Sequence, residues 1–223
     1  MARRSGIAIL LLLAFWGTGC GSSSSKTGQV RFVQVSPDSP HVDVLVDGTT
    51  QSSNLAYGNT TDYLTVKTES RHIEAVPVNS STPLLDTTVT ITESGHQTLL
   101  MTGATSDIKP LLLTDGGTTA STGKGYVRVI NTSVAMGPAD VYIVTGASGI
   151  TGVTPVIGAL DFDGSSSYQL VAAGNYRVVM TAPGTKSILL DTGPLNMTAS
   201  QNWTLLILDA SSGGFSFSPL QDQ

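Results

Sequence analysis

Past residue 19, apolar residues recur with a period of two. Val42, Val44 and Val46 alternate with Asp43, Leu45 and Asp47; Tyr176, Val178 and Met180 alternate with Arg177, Val179 and Thr181. A period of two puts alternate side chains on one face of a β-strand. Short β-branched runs follow one another along the chain, broken at Asp47-Gly48, Tyr57-Gly58, Ser94-Gly95, Asp163-Gly164 and Pro183-Gly184. That spacing predicts β-sandwich architecture, and no long window has the 3.6 period of a helix.

The pattern occurs twice. Val30-Arg31-Phe32-Val33 returns as Val127-Arg128-Val129-Ile130, and Val42–Val46 as Ala139–Ile143, both 97 residues later. Leu85-Asp86-Thr87 returns 105 residues on as Leu190-Asp191-Thr192, and His96–Leu100 returns 106 residues on as Asn202–Leu206. The offset grows because the second copy has a longer loop around Gly146–Thr154. Units of this length are domains and not solenoid repeats. Residues 29–114 and 126–223 are therefore read as two sandwiches of about seven strands each, joined by a linker at 115–125. Lys, Thr, Ser, Ala and Gly fill that linker, so the two halves are expected to fold independently and to be cut between them. In the second copy Tyr176, Val178, Trp203, Leu205 and Ile207 are expected to face inward.

The first 19 residues stand apart. Arg3 and Arg4 precede an apolar run, Ile7–Trp16, and Gly17-Thr18-Gly19-Cys20 follows. Ten helical residues rise about 15 Å, half of a ~30 Å hydrocarbon core, so the run reads as a signal-peptide core and not as a span. Cys20 is the chain's one cysteine and has no internal disulfide partner. The segment resembles the bacterial lipobox, in which a Cys after a small residue receives a diacylglycerol. Gly17 stands where Leu is usual and Thr18 where Ala or Ser is common. Residues 1–19 are thus read as a lipoprotein signal peptide, with Cys20 the lipidation site and 20–28 a flexible tether. The address implied is exported and membrane-anchored in the cell envelope. In a cell with two membranes, Gly21 after the Cys resembles lipoproteins of the outer membrane.

Charge narrows the partners. The 223 residues carry a formal net charge of −5; loss of Arg3 and Arg4 takes 11 basic residues to 9 against 16 acidic ones, a net −7. No basic run follows residue 19, so nothing gathers cations for a nucleic-acid backbone. Only 12% of residues are charged, and Ser, Thr, Asn and Gln supply the polar surface.

Val30-Arg-Phe-Val-Gln-Val-Ser-Pro-Asp-Ser-Pro-His-Val-Asp-Val-Leu-Val-Asp-Gly48 resembles the opening of a bacterial envelope domain known as domain of unknown function 4397. Leu55-Ala-Tyr-Gly58, Tyr63-Leu64 and Pro110–Leu113 fit as well, and the second copy matches through Val127–Ser133, Asp140–Tyr142, Ala173–Val178 and Thr204–Leu208. The resemblance implies two tandem immunoglobulin-like antiparallel β-sandwich domains, all-β, on an exported and often lipid-anchored protein. It implies no activity. Gln34 stands where that family often has His, and Ser133-Val-Ala-Met-Gly-Pro138 replaces Ser-Pro-Asp-x-Pro in the second copy.

Candidate chemistry is sparse. There is no Gly-x-Ser-x-Gly elbow; His41, His72 and His96 all lie in the first copy and read as surface or strand residues. No His/Cys spacing suits zinc. Asp161-Phe-Asp163-Gly164 has two carboxylates of a calcium loop but not the rest. Asp38, Asp43 and Asp47 flank the Ser-Pro-Asp loop, and Glu69, Glu74 and Glu93 are the only glutamates. Sequons at Asn59, Asn79, Asn131, Asn196 and Asn202 reflect composition. No catalytic residue, cofactor or metal is therefore expected. The expected function is that of a lipid-anchored, non-catalytic envelope module binding an envelope protein or a glycan. The alternative is an envelope enzyme or substrate-binding lipoprotein with a cleft between the two domains.

Overall fold

The computed structural model describes residues 25–116 and 121–223. Cys20 and the signal segment lie outside the described residues, as does the middle of the linker. No helix among the described residues is long and apolar enough to cross a membrane.

The first half contains β1 (Thr27–Gln34), β2 (Val42–Val46), β3 (Thr49–Leu55), β4 (Leu64–Lys67), β5 (Glu69–Pro77), β6 (Leu85–Ile91), β7 (His96–Thr102) and β8 (Lys109–Asp115). The second contains β9 (Lys124–Asn131), β10 (Ala139–Thr145), β11 (Ile157–Leu160), β12 (Gln169–Ala172), β13 (Gly174–Thr181), β14 (Ile188–Asp191), β15 (Leu195–Met197), β16 (Asn202–Asp209) and β17 (Phe215–Asp222). Both ends of the stretch read as linker are therefore strand: Asp115 closes β8, and Lys124 and Gly125 open β9.

Each half is a two-sheet sandwich. An inner sheet, β4-β1-β7-β8 or β12-β9-β16-β17, packs on an outer one, β3-β2-β5-β6 or β11-β10-β13-β14 with β15 on β13. Pairing is antiparallel except between β1 and β7 and between β9 and β16, which run parallel. The alternation in Val42-Asp-Val-Leu-Val46 does what it predicts: its three odd-phase valines are buried against Phe32, Ile73 and Leu99. A matching core joins Val129, Val141, Met180 and Leu205. Asp47 and Gly48, both at positive φ, form the tight β2–β3 turn. Gly28 and its repeat equivalent Gly125 leave no room for a side chain; a Cβ would lie 2.3 Å from the Thr92 carbonyl oxygen and 2.7 Å from that of Gln201.

The inner strands break the alternation. Along β1, every residue from Val30 to Gln34 is buried, and β7, β9 and β16 behave alike. Phe32 and Leu99 fill the sandwich core, while Val33, Val35 and Leu100 turn the other way and meet Ile130, Leu206, Leu208 and Leu220 in a third core between the halves. Strands buried on both faces read as continuous apolar runs. Burying each such side chain stabilises by roughly 1.5–3 kcal/mol, so an isolated half would bare an extensive apolar face.

Trp203 is only half-buried. Its ring packs on the second core at an open end of the sandwich, beside Pro194, Leu195 and Met197. Val178, Leu205 and Ile207 are buried as expected, and Tyr176 is partly so. In the first half the equivalent of Trp203 is Gln97, whose amide closes that end by accepting from Thr92 N at 2.9 Å and donating to Thr90 O at 3.3 Å.

Candidate functional site: the seam between the halves

At the centre of the shared face lie four charges, each nearly inaccessible: Arg31, Asp115, Arg128 and Asp222. Arg31 on β1 donates through Nη2 to Asp222, through Nη1 to Gln221 O at 2.9 Å and through Nε to Thr98 Oγ1 at 2.7 Å. Arg128 on β9 mirrors it. Its Nη2 reaches Asp115 at 2.6 Å, Nη1 reaches Thr114 O at 3.0 Å, and Nε reaches Thr204 Oγ1 at 2.9 Å. Each carboxylate also accepts from its own half: Thr98 and Tyr63 on Asp115, Thr204 and Tyr168 on Asp222. The tyrosine rings cover the guanidinium groups, with Arg31 4.9 Å from the Tyr63 centroid and Arg128 4.8 Å from that of Tyr168.

Every member has its equivalent in the other half, and each half's arginine takes the other half's aspartate. That is the reciprocity of a twofold interface, built within one chain. Buried ion pairs often gain little over apolar packing, because desolvating the charges offsets their attraction. The third core therefore supplies most of the seam's stability. Burial, with the charge of Asp222, pushes the Tyr168 hydroxyl up to about 12, and burial likewise raises Tyr63.

Beside this centre runs a groove of about 710 Å³ walled by both halves. Tyr63, Asp62 and His96 come from the first half, and Pro219, Gln221 and Gln223 from the second. Tyr63 and His96 stand edge to face, their centroids 5.0 Å apart and their planes at 81°. The side chains of Asp62, His96, Gln221 and Gln223 make no hydrogen bond among the described residues.

The aspartates singled out in the sequence do not converge. Asp38 accepts from Thr105 N at 2.8 Å, Asp43 from Asn54 N at 2.8 Å, and Asp47 from His72 N and Arg71, both at 3.0 Å. Asp38 tethers the Ser-Pro-Asp loop to the segment after β7. In the second half the acid sits across the same contact: Asp209 accepts from Ser133 Oγ and, at 3.0 Å, from Val134 N. Gln34 is fully buried and accepts from Ser36 N at 2.7 Å, as Asn131 does from Ser133 N at 3.3 Å. These contacts shape the loops. Asp163 faces the seam, accepting from Thr102 Oγ1 at 3.0 Å, with its other oxygen buried and unpartnered. Exposed His41 bonds Asn54 at 2.9 Å.

One trio among the described residues lies close enough to share a metal ion: His72, Glu74 and Asp86, on the outer face of the first half. His72 Nε2 lies 2.7 Å from Asp86 Oδ1. The repeat equivalents of His72 and Asp86 are Arg177 and Asp191, which form an ion pair, and Glu74 is replaced by buried Val179. The position thus holds a cross-strand charge pair in both halves, and the trio reads as that pair with one acidic neighbour.

The sequence profile described as Domain of unknown function (DUF4397) matches residues 28–142. The chain belongs to this family. The match covers the first sandwich, β9 and the start of β10, and so includes Arg31, Asp115 and Arg128, three of the four seam charges. The family description names no activity. No curated protein matches this DUF4397 chain. Among solved structures it is similar to CBMbc, a family CBM26 module of Eubacterium rectale Amy13K in complex with maltoheptaose. Identity is 10%, with 87% of this chain and 96% of that one covered, at a TM-score of 0.27. An adhesin candidate from Bacteroides ovatus is 12% identical, with 87% and 92% covered, at a TM-score of 0.26. Likeness at these values carries no argument about function.

Sequence reasoning missed the seam, although the signal was present. Both copies place an Arg inside an apolar first strand and a Thr inside an apolar later one, at Arg31/Arg128 and Thr98/Thr204. A charge repeated in the middle of a buried strand announces a buried partner.

Proposed function

We propose that this protein is a lipid-anchored, non-catalytic module of the cell envelope that binds its ligand in the groove between the two sandwiches. The observation that carries the reading is the set of four unengaged polar side chains facing one groove from both halves, beside a seam that fixes the two walls. Unpaired donors and acceptors on fixed walls are what a binding site offers. Cys20, behind its signal segment, supplies the anchor, and the residues after it the tether; the structure shortens the expected 20–28 tether at its far end, because Thr27 and Gly28 already belong to β1.

The groove's position between the halves also suits the alternative, an enzyme with an interdomain cleft. Its chemistry favours binding. Tyr63 has its hydroxyl held by Asp115 and its ionisation raised by burial, the wrong direction for a nucleophile or base at neutral pH. Among the described residues, no carboxylate bonds either ring nitrogen of His96 to orient it.

Two measurements test the proposal. Cys20→Ser should move the protein from the membrane fraction to the soluble exported fraction; retention at wild-type level refutes the anchor. A photo-crosslinking residue at Gln221 in intact cells should trap an envelope component, whereas the same residue at Ser80, on a turn of the first half, should not. Equal capture at both sites, or none at Gln221, refutes the groove.

A further inference from the structure

The groove's lining narrows the ligand class, on the reading that it is a binding seat. Gln221, Gln223 and His96 each present both a donor and an acceptor, and Asp62 presents acceptors alone. Arg31 reaches the groove, but its charge is met by Asp222 within the seam, and exposed Asp62 repels an anion. A cation would find one unpaired carboxylate among neutral amides. A row of hydroxyls meets such a lining, since each hydroxyl donates and accepts at once and carries no charge. The edge-to-face Tyr63–His96 pair and the exposed Pro219 ring add apolar surface among the polar groups, matching a sugar's C–H face. The volume of about 710 Å³ falls within the ~300–1,000 Å³ of small-molecule sites, and the groove opens to solvent. We propose that this groove binds a short neutral oligosaccharide, gripped through its hydroxyls by Asp62 and His96 from one half and Gln221 and Gln223 from the other.

The test is calorimetric titration of the exported chain, residues 21–223, with neutral trisaccharides of glucose, mannose, galactose and N-acetylglucosamine. At least one should bind. Asp62→Ala, His96→Ala and Gln221→Ala should each weaken it by about three- to tenfold, the usual scale for losing one net hydrogen bond. Asp86→Ala, on the outer face, should leave binding unchanged, and thermal melts should show each groove variant folded like the wild type. No heat from any trisaccharide up to roughly 10 mM, a concentration that detects even millimolar affinity, overturns the proposal. So does binding that the groove variants leave intact. Gln221 crosslinking to a protein in cells, with no sugar bound, defeats the oligosaccharide while keeping the groove as a seat. Failure of both experiments removes the groove from function altogether.

Discussion

The outer sheets of the two halves occupy the same place in the repeat and meet solvent in opposite ways. In the first half, Leu45, His72, Glu74 and Asp86 face outward on an open, charged surface. In the second, Tyr142 and Val179 stand at the places of Leu45 and Glu74, and Val144 at that of Asp47. All three are buried, because the longer loop folds back and lays Ile150 on them. Lys186 clips the cover, donating to Tyr142 Oη at 3.0 Å and Val153 O at 2.5 Å while lying 4.2 Å from the ring centre. The loop and the apolar residues beneath it are one change: either alone would leave bare hydrophobic surface or a loop with nothing to pack on. The seam, by contrast, is the same from both sides. The two copies have diverged where each faces water and stayed matched where they face each other.

The largest effects should come from the matched region. Asp115→Ala removes the carboxylate hydrogen-bonded to buried Arg128 and leaves it only Asp222 at 3.9 Å; Asp222→Ala does the same to Arg31, which keeps only Asp115 at 3.8 Å. Breaking one side of a buried pair costs about 3–5 kcal/mol, a large part of a typical total of 5–15 kcal/mol. The two variants should be destabilised alike in urea, and each should unfold the whole chain in one transition because the third core is shared. Two transitions, with only one shifted by each variant, would mean that the halves fold independently and the seam is a weak contact.

The unmatched region gives the next effect. Ile150→Ala should cost about 2 kcal/mol, the low end for such a core truncation since Ile150 is 8% exposed. Leu45→Ala, on the open sheet, should stay within about 0.5 kcal/mol of wild type, as surface changes do. Equal costs would show that the loop covers nothing of consequence.

How much of this was legible follows from periodicity. Alternation at Val42–Val46 and Tyr176–Met180 marks strands with one buried face, and the repeat offsets map one sandwich onto the other. The inner strands hid their second buried face because runs such as Thr204-Leu-Leu-Ile207 fit a parity for each core. Trp203 followed the buried parity but sits where the sandwich opens, and parity does not record distance from a sheet's end. The groove was illegible, since its walls come from residues about 125 apart and no spacing rule links Gln221 to His96.

A smaller effect lies at the edge of the seam. Asp163 stands at the repeat position of Gly58 and keeps its positive φ. Burial raises its carboxyl above the ordinary range, and the Thr102 hydroxyl and Lys109 charge oppose this only in part. A raised acid favours the fold while protonated, so its contribution is full below about pH 4 and is lost as pH rises through its folded value. Asp163→Asn should therefore melt higher than wild type at pH 7 and match it near pH 3. A variant that melts lower at pH 7 would show that the Thr102 and Lys109 contacts outweigh the burial.

The smallest effect separates the two outer faces by pH. His72 is raised above the ordinary histidine range, first by its hydrogen bond to Asp86 and then by the charges of Asp86, Glu74 and Asp47. A raised base contributes stability that is complete below its unfolded value near 6.5 and fades as pH rises through the folded one. In the second half Arg177 keeps its charge throughout, and Asp191 is lowered, first by its hydrogen bond from Arg177. That pair contributes above the unfolded aspartate value near 3.9 and is lost only as pH falls further. The same cross-strand position thus loosens on the alkaline side in one half and on the acid side in the other. Both pairs face solvent, so the signature is a titration and not a melting shift. Ring-proton chemical shifts of His72 should report a value above the ordinary histidine value near 6.5, which Asp86→Asn should bring down. A His72 that titrates no higher than the ordinary histidine value, or ignores Asp86→Asn, would mean that its contact with Asp86 does not hold in solution.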